Sequence, residues 1–269
     1  MLTRAEALLS RRLSETRHVP VDLYAVCAEL GLLEPTIQLG SKEQHGGLRR
    51  SGSTWQPVVY RTVSGRPWLT PRERFTLAHE IAHAVIEMEL PLRPKRNAEY
   101  WALEERCDRF AVQLLVPENI VHSYQSGCAT AEGLITASIA LSREADVSLA
   151  CAARRLVEST SGCAAWGLRE HSSRDDTVRW RVIWDIENPA HFKLRRPAYL
   201  RVHHVLASIV VNVSPLVGDQ AAGRLDDGIT VACRRMSPSH LLLCAVRMNS
   251  SAGRFPEREG STCGPETQA

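Results

Sequence analysis

A chain of 269 residues, 44% hydrophobic and 23% charged, can bury a sizeable core as one large domain or two small ones. Its net charge of +3 is too small to argue for nucleic-acid binding, no run of eighteen apolar residues spans a membrane, and Met1-Leu2-Thr3-Arg4 opens charged amphipathic sequence rather than a secretion signal. The cytoplasm is the default address, and eight widely spaced cysteines among apolar neighbours, without a C-x-x-C pair, read as reduced buried thiols.

Thr3 to Arg17 places Ala5, Leu8, Leu9 and Leu13 on one helical face. Pro20 then opens a second helix, with Val21, Leu23, Tyr24, Val26, Cys27 and Leu30 inward and Gly31 as its stop. The pair is no convincing helix-turn-helix, because Asp22 to Leu30 offers acids where basic and amide groups should meet DNA. From Gly46 the pattern changes to strand: Gly46 to Gly52 suggests strand and turn, and Gln56 to Arg61 a second strand. An exposed edge of such a small sheet can pair with an extended peptide main chain. His45, a lone loop histidine beside it, reads as solvent-facing.

The chain is organised around Thr70 to Pro117. Thr70-Pro71-Arg72-Glu73 is a capping box with proline at the first helical position. Phe75, Ala78, Ile81, Ala82, Val85 and Ile86 follow at helical spacing, so the helix is largely buried. It carries His79-Glu80-Ile81-Ala82-His83, and histidines four apart stand about 40° from each other around a helix, so both imidazoles can converge on one zinc ion. The intervening carboxylate, Glu80, is then placed to take a proton as general base. A second helix, about Ala98 to Leu115, buries Leu103, Cys107, Phe110, Ala111, Leu114 and Leu115 and ends at Val116-Pro117. Glu104 and Asp108, one turn apart, share a face. Glu104 is expected as third ligand and Asp108 as the acceptor that fixes a ligand histidine's tautomer, while Glu105 turns about 100° away toward solvent.

Arg74 to His83, followed by Glu104 to Pro117, resembles the ImmA/IrrE-type metallopeptidase family, whose signature runs R-F-T-x-A-H-E-x-x-H and then E-x-x-A-N/D-x-F-A-x-x-L-L-x-P. Ala82 stands where the family usually has Gly, and Cys107 where it usually has Ala, both small residues. The resemblance implies a zinc endopeptidase that cuts a DNA-binding transcriptional repressor in a stress or mobile-element response.

Beyond Pro117, helices are expected at Glu118 to Ser126, Ala131 to Leu141 and Ser148 to Ser159, with a polar break between the last two. His122 reads as a surface or packing residue. A boundary is expected in the polar run His171 to Thr177, and beyond it Val178 to Trp184, Ile229 to Arg235 and Leu241 to Val246 read as strands and Tyr199 to Val211 as helix. Arginine doublets such as Arg154-Arg155 and Arg234-Arg235 are expected mainly on solvated faces.

The expectation is therefore an α+β protein: a mostly helical, zincin-like metallopeptidase domain with a small β-sheet over 1–171, a linker over 172–177, a small α+β unit over 178–249 acting in sensing or docking, and a disordered tail over 250–269. His79, His83 and Glu104 would hold Zn2+ and Glu80 would act as base. The oxyanion partner is open among Tyr60, Tyr100, His122, Tyr124 and arginines. Two other readings are weighed: a regulatory protein that docks a repressor without cutting it, against which the intact Glu80 speaks, and a small-molecule or deformylase-type hydrolase, against which the absence of a cysteine ligand motif speaks. The partner expected is a protein substrate, without membrane or direct nucleic-acid contact.

Overall fold

The computed structural model describes residues 18–41, 43–89, 97–172, 178–187, 199–200, 209–210, 213, 216–225 and 228–247. The helix expected at Thr3 to Arg17, the 173–177 segment and the expected tail over 250–269 lie outside the described residues. The class is α+β, helices with a small sheet first and a strand-rich unit after them.

Helix α1 (Leu23–Glu29) starts later than Pro20, because Asp22 caps it by accepting from the N–H groups of Tyr24 and Ala25 at 3.0 and 3.1 Å. Such a cap is worth about 1 kcal/mol. Strands β1 (Thr36–Leu39), β2 (Gly46–Ser51) and β3 (Thr54–Arg61) form a sheet in the order β1-β3-β2, with β1 parallel and β2 antiparallel to β3. The short, half-buried β1 has no alternation to announce it. Strand β2 stands at the sheet edge, next to the cleft described below.

Helix α2 (Pro71–Glu89) begins with the expected capping box: the Thr70 N–H donates to Glu73 Oε2 at 2.7 Å and the Glu73 N–H to Thr70 Oγ1 at 3.3 Å. Glu73 also meets Arg61 of β3 at 3.0 Å, both side chains buried, which fastens helix to sheet. Although burial works against ionisation, the hydrogen bonds from Thr70 and the charge of Arg61 hold the Glu73 carboxyl below its ordinary value. Leu77, Ala78, Ile81, Ala82, Val85 and Ile86 are buried, at about 2 kcal/mol for each large aliphatic side chain. Arg74, from the family-like signature, donates to the Val21 carbonyl at 2.9 Å and faces Asp146 at 3.7 Å, so it ties this helix to segments far away in sequence.

Helix α3 (Asn97–Leu115) packs on α2. Then follow α4 (Glu118–Gln125), a 3-10 turn at Ser126–Ala129, α5 (Ala131–Glu144) and α6 (Leu149–Ser159), the last capped by Ser148 as expected. Helix α5 runs past Leu141, since the polar residues after it continue a solvent face without a breaker. Arg155 is not solvated: it is buried, donating to the Val116 carbonyl at 2.9 Å and to Glu118 at 2.6 Å.

Strands β4 (Cys163–Ser172), β5 (Val178–Glu187), β6 (Tyr199–Leu200), β7 (Gln220–Arg224), β8 (Ile229–Ser237) and β9 (His240–Arg247) form an antiparallel sheet in the order β6-β5-β4-β9-β8-β7. Two expectations change here. Ser172 and Val178, on either side of the 173–177 segment, pair within this sheet, so β4 and β5 are neighbouring strands of one sheet that already begins at Cys163. Tyr199–Leu200 pairs as strand with Arg181 and Trp180, and within the expected helix Tyr199 to Val211 only Ile209 and Val210 are described as helical. In both places local pattern yielded to long-range pairing.

The sheet is apolar on two faces. Cys163 and Ala165, with Leu242 and Cys244, join the core of the helical part, where α5 lies on β8 and β9 and α6 on β4 and β5. Ala164, Trp166 and Leu168 turn the other way into a second core with Trp180, Ile209, Val231 and Leu243. The alternation is the two-residue period of a strand buried on both sides. Gly167 interrupts it at a register shift between β4 and β5, where the Trp184 indole occupies the space any Cβ would need. Arg235 is a buried exception to the apolar pattern, donating to the Pro238 carbonyl at 2.9 Å with its guanidinium over the Trp180 ring.

Candidate metal centre

Helices α2 and α3 each present two stripes. One is apolar and belongs to the core, and the other lines a cleft of about 670 Å³ whose walls include His45, Gly46, Arg72, Thr76, Tyr100 and the five residues singled out by spacing. Thr76, His79, Glu80 and His83 come from α2, and Tyr100, Glu104 and Asp108 from α3.

The structure brings three of them together. His79 Nε2 lies 3.0 Å from His83 Nε2 and 3.2 Å from Glu104 Oε2, and His83 Nε2 lies 3.3 Å from Glu104 Oε1. A tetrahedral ion bonded at about 2.05 Å sets its ligands roughly 3.3 Å apart, so the separations fit three corners of such a polyhedron. Among the described residues, this is the group of histidine, cysteine and acidic side chains that could hold a metal ion. Two imidazole nitrogens face to face repel unless a proton or a cation lies between them, and a carboxylate as third donor adds the charge that favours a cation.

Around the trio, His79 Nδ1 lies 2.9 Å from Asp108 Oδ1, a distance at which the imidazole donates and the carboxylate accepts, leaving the Nε2 lone pair aimed at the cluster. Burial opposes charge on His79, but the hydrogen bond and charge of Asp108 outweigh it, and its pKa lies above the ordinary value. Burial and the neighbouring His79 lower that of His83. Glu105 turns out to solvent, its side chain 75% exposed and paired with Arg109, as the helical phase requires.

Glu80 stands beside the trio without belonging to it. Burial pushes its carboxyl up to about 7, against the pull of His79 and with the help of Glu104. Its neighbour across the cleft is the edge strand: a Cβ at Gly46 would come within 2.5 Å of both Glu80 Oε1 and Thr76 Cγ2, so only glycine lets the backbone of β2 lie directly over this carboxylate. The alternation of strand residues carried no hint of this approach.

Of the groups considered for the oxyanion, Tyr100 lines the cleft and hydrogen-bonds Glu104, whose charge raises the phenol's pKa. His122 is exposed and pairs with Glu118, and Tyr124 bonds Glu144, so both are engaged elsewhere. Tyr60 packs against Gly40. His45, read as solvent-facing, is exposed but belongs to the cleft wall, where it meets Arg72. Sequence pattern could not find that pair, because a loop and a helix terminus were brought together only by folding.

No curated protein matches the chain. Among solved structures, a Mycobacterium tuberculosis transcriptional regulator superposes with a TM-score of 0.52 at 13% identity, covering 90% of this chain and 76% of that one, a likeness of fold. Residues 69–157, which contain both site helices, match the peptidase M78 family, described as the IrrE N-terminal-like domain. Over residues 69–157 the chain thus matches an IrrE N-terminal-like domain, which bears out its resemblance to the ImmA/IrrE-type family.

Proposed function

We propose that the protein is a zinc-dependent endopeptidase that cuts a specific intracellular protein, a DNA-binding transcriptional repressor. The observation that carries the reading is Glu80, a carboxylate of raised pKa beside the His79, His83 and Glu104 trio, in a cleft open to the β2 edge. A docking protein has no use for such a base, and a site that only stores metal has no use for the open cleft.

In this reading His79, His83 and Glu104 hold the ion and Asp108 fixes the His79 tautomer. Zinc supplies, when bound, the Lewis acidity that polarises a peptide carbonyl and activates water. Glu80 takes the proton of the attacking water and delivers it to the leaving amine, a shuttle suited to a group titrating near neutrality. Tyr100, on the cleft wall, would turn its phenolic hydrogen from Glu104 to the developing oxyanion once Glu104 holds the ion. The substrate main chain lies along β2 as an added strand, which Gly46 allows to pass close over Glu80. The strand-rich unit, 178–249 as first delimited and with β4 added by pairing, contributes remote contacts with the partner.

The test is incubation of zinc-loaded full-length protein and its Glu80→Gln variant with candidate repressors encoded nearby. Expected are discrete fragments from the wild type and intact repressor with the variant. Binding of a repressor by both proteins without fragments from either would favour the docking reading.

A further inference from the structure

Among the described residues Arg72 is the one arginine or lysine lining the metal cleft, against four carboxylates, Glu43, Glu80, Glu104 and Asp108. Elsewhere in the helical part, Arg61, Arg74, Arg109 and Arg155 each face a carboxylate. Arg72 does not. Among the described residues its side-chain partner is His45, whose Nε2 lies 2.8 Å from Arg72 Nη2. An imidazole accepts one of the five guanidinium N–H bonds and leaves the charge unmatched, with donors over for a carboxylate, whose two oxygens fit the planar fork.

The position of Arg72 gives that charge a meaning. Arg72, Thr76, His79 and His83 recur at steps of four, three and four, so they share one face of α2, and all line the same cleft. Seven residue steps of helix lead from Arg72 to His79, about 10 Å along the axis at 1.5 Å per residue. An extended peptide advances about 3.3 Å per residue, so the same span covers roughly three substrate residues. His45, which holds the guanidinium, immediately precedes Gly46, where the β2 edge passes over Glu80. Arginine, base and strand edge therefore line one cleft, the arginine beside His45 and the base beside Gly46.

Resting on the endopeptidase reading, we propose that Arg72, steadied by His45, is a specificity-determining residue that receives an acidic side chain, Asp or Glu, about three residues from the bond cut. The pairing is a charge-assisted contact at an exposed rim, so its effect is modest and falls with salt.

The experiment uses zinc-loaded full-length protein and a position-scanned peptide library, read in two ways. Cleavage is followed with Glu80 intact, and binding with the Glu80→Gln protein, each with Arg72, Arg72→Gln or Arg72→Glu. Zinc content and melting temperature serve as folding controls. Expected is a preference of about tenfold for an acid over lysine at one position about three residues from the cut, flattened by Arg72→Gln, inverted by Arg72→Glu and reduced by salt. The same preference should appear in binding. An acid preference that survives Arg72→Glu, or no charge preference at any position in the wild type, overturns the assignment. Arg72-dependent binding of acidic peptides without any cleavage supports the subsite and sinks the endopeptidase reading, whereas cleavage indifferent to Arg72 does the reverse. Neither binding nor cleavage of any peptide overturns both.

Discussion

The helix pair α2 and α3 and the six-stranded sheet use their surfaces in opposite ways. A helix has a full circumference, so α2 can give Ile81, Ala82 and Val85 to the core while His79, Glu80 and His83 line a cleft. A strand has two faces, and the central strand β4 commits both to packing, Cys163 and Ala165 on one side and Ala164, Trp166 and Leu168 on the other. No face of that strand remains for chemistry. The difference teaches why the polar residues of the proposed site come from two helices and a sheet edge, while the larger sheet closes the core beneath them.

The comparison breaks most visibly if the helical half stands alone. Because Leu242, Cys244 and Val246 belong to the same core as α5 and α6, a fragment ending at Asp176 should show no cooperative thermal transition, and loss of cleavage after such a truncation would report lost folding rather than lost docking. A sharp transition with zinc retained by that fragment would show that the sheet is an appendage after all.

A smaller effect sharpens the division between the two faces of α3. Glu104→Ala removes one corner of the trio and should weaken zinc binding by about a hundredfold or more, measured by competition with a chelator, whereas Glu105→Ala removes an exposed partner of Arg109 and should leave affinity unchanged. Equal losses at the two positions would mean that the polar stripe, and not the phase within it, sets the affinity.

The smallest effect concerns Glu80 in chelated protein. Its folded pKa of about 7 lies above the ordinary value of 4.5, so the folded state binds the proton more tightly than the unfolded one. The contribution of Glu80 to stability should accordingly be most favourable below pH 4.5 and decline as pH rises from there to about 7. Glu80→Gln removes this dependence. The chelated variant should match the wild type near pH 4.5 and exceed it by about 2 kcal/mol at pH 8 in denaturant titrations, a figure reduced for partial exposure. A variant less stable than the wild type at pH 8 would contradict a buried, costly charge at this position.

What could be read from the sequence follows the range of the forces involved. The capping box at Thr70, the convergence of His79 and His83, and the opposite turns of Glu104 and Glu105 depend on helical period within one or two turns, and the structure places each as that period requires. Strands Gly46–Ser51 and Ile229–Ser237 were legible because alternation or β-branched content is also local. The junction between the helical part and the sheet was not. The polar run after His171 has the composition of a linker, and only the pairing of the strands on either side of it, Ser172 with Val178, places both in one sheet.

The sequence by itself thus determined the metal-ligand set proposed here and the helices that carry it, because a covalent chain coiled at 3.6 residues per turn leaves little freedom in where residues four apart point. Only the tertiary structure decided what surrounds that set. It laid Gly46 over Glu80, set Tyr100 beside Glu104, joined His45 to Arg72 and closed the core with β4, β8 and β9. Each of these depends on contacts between distant segments, whose geometry is chosen by packing of the whole and not by the local period of either partner.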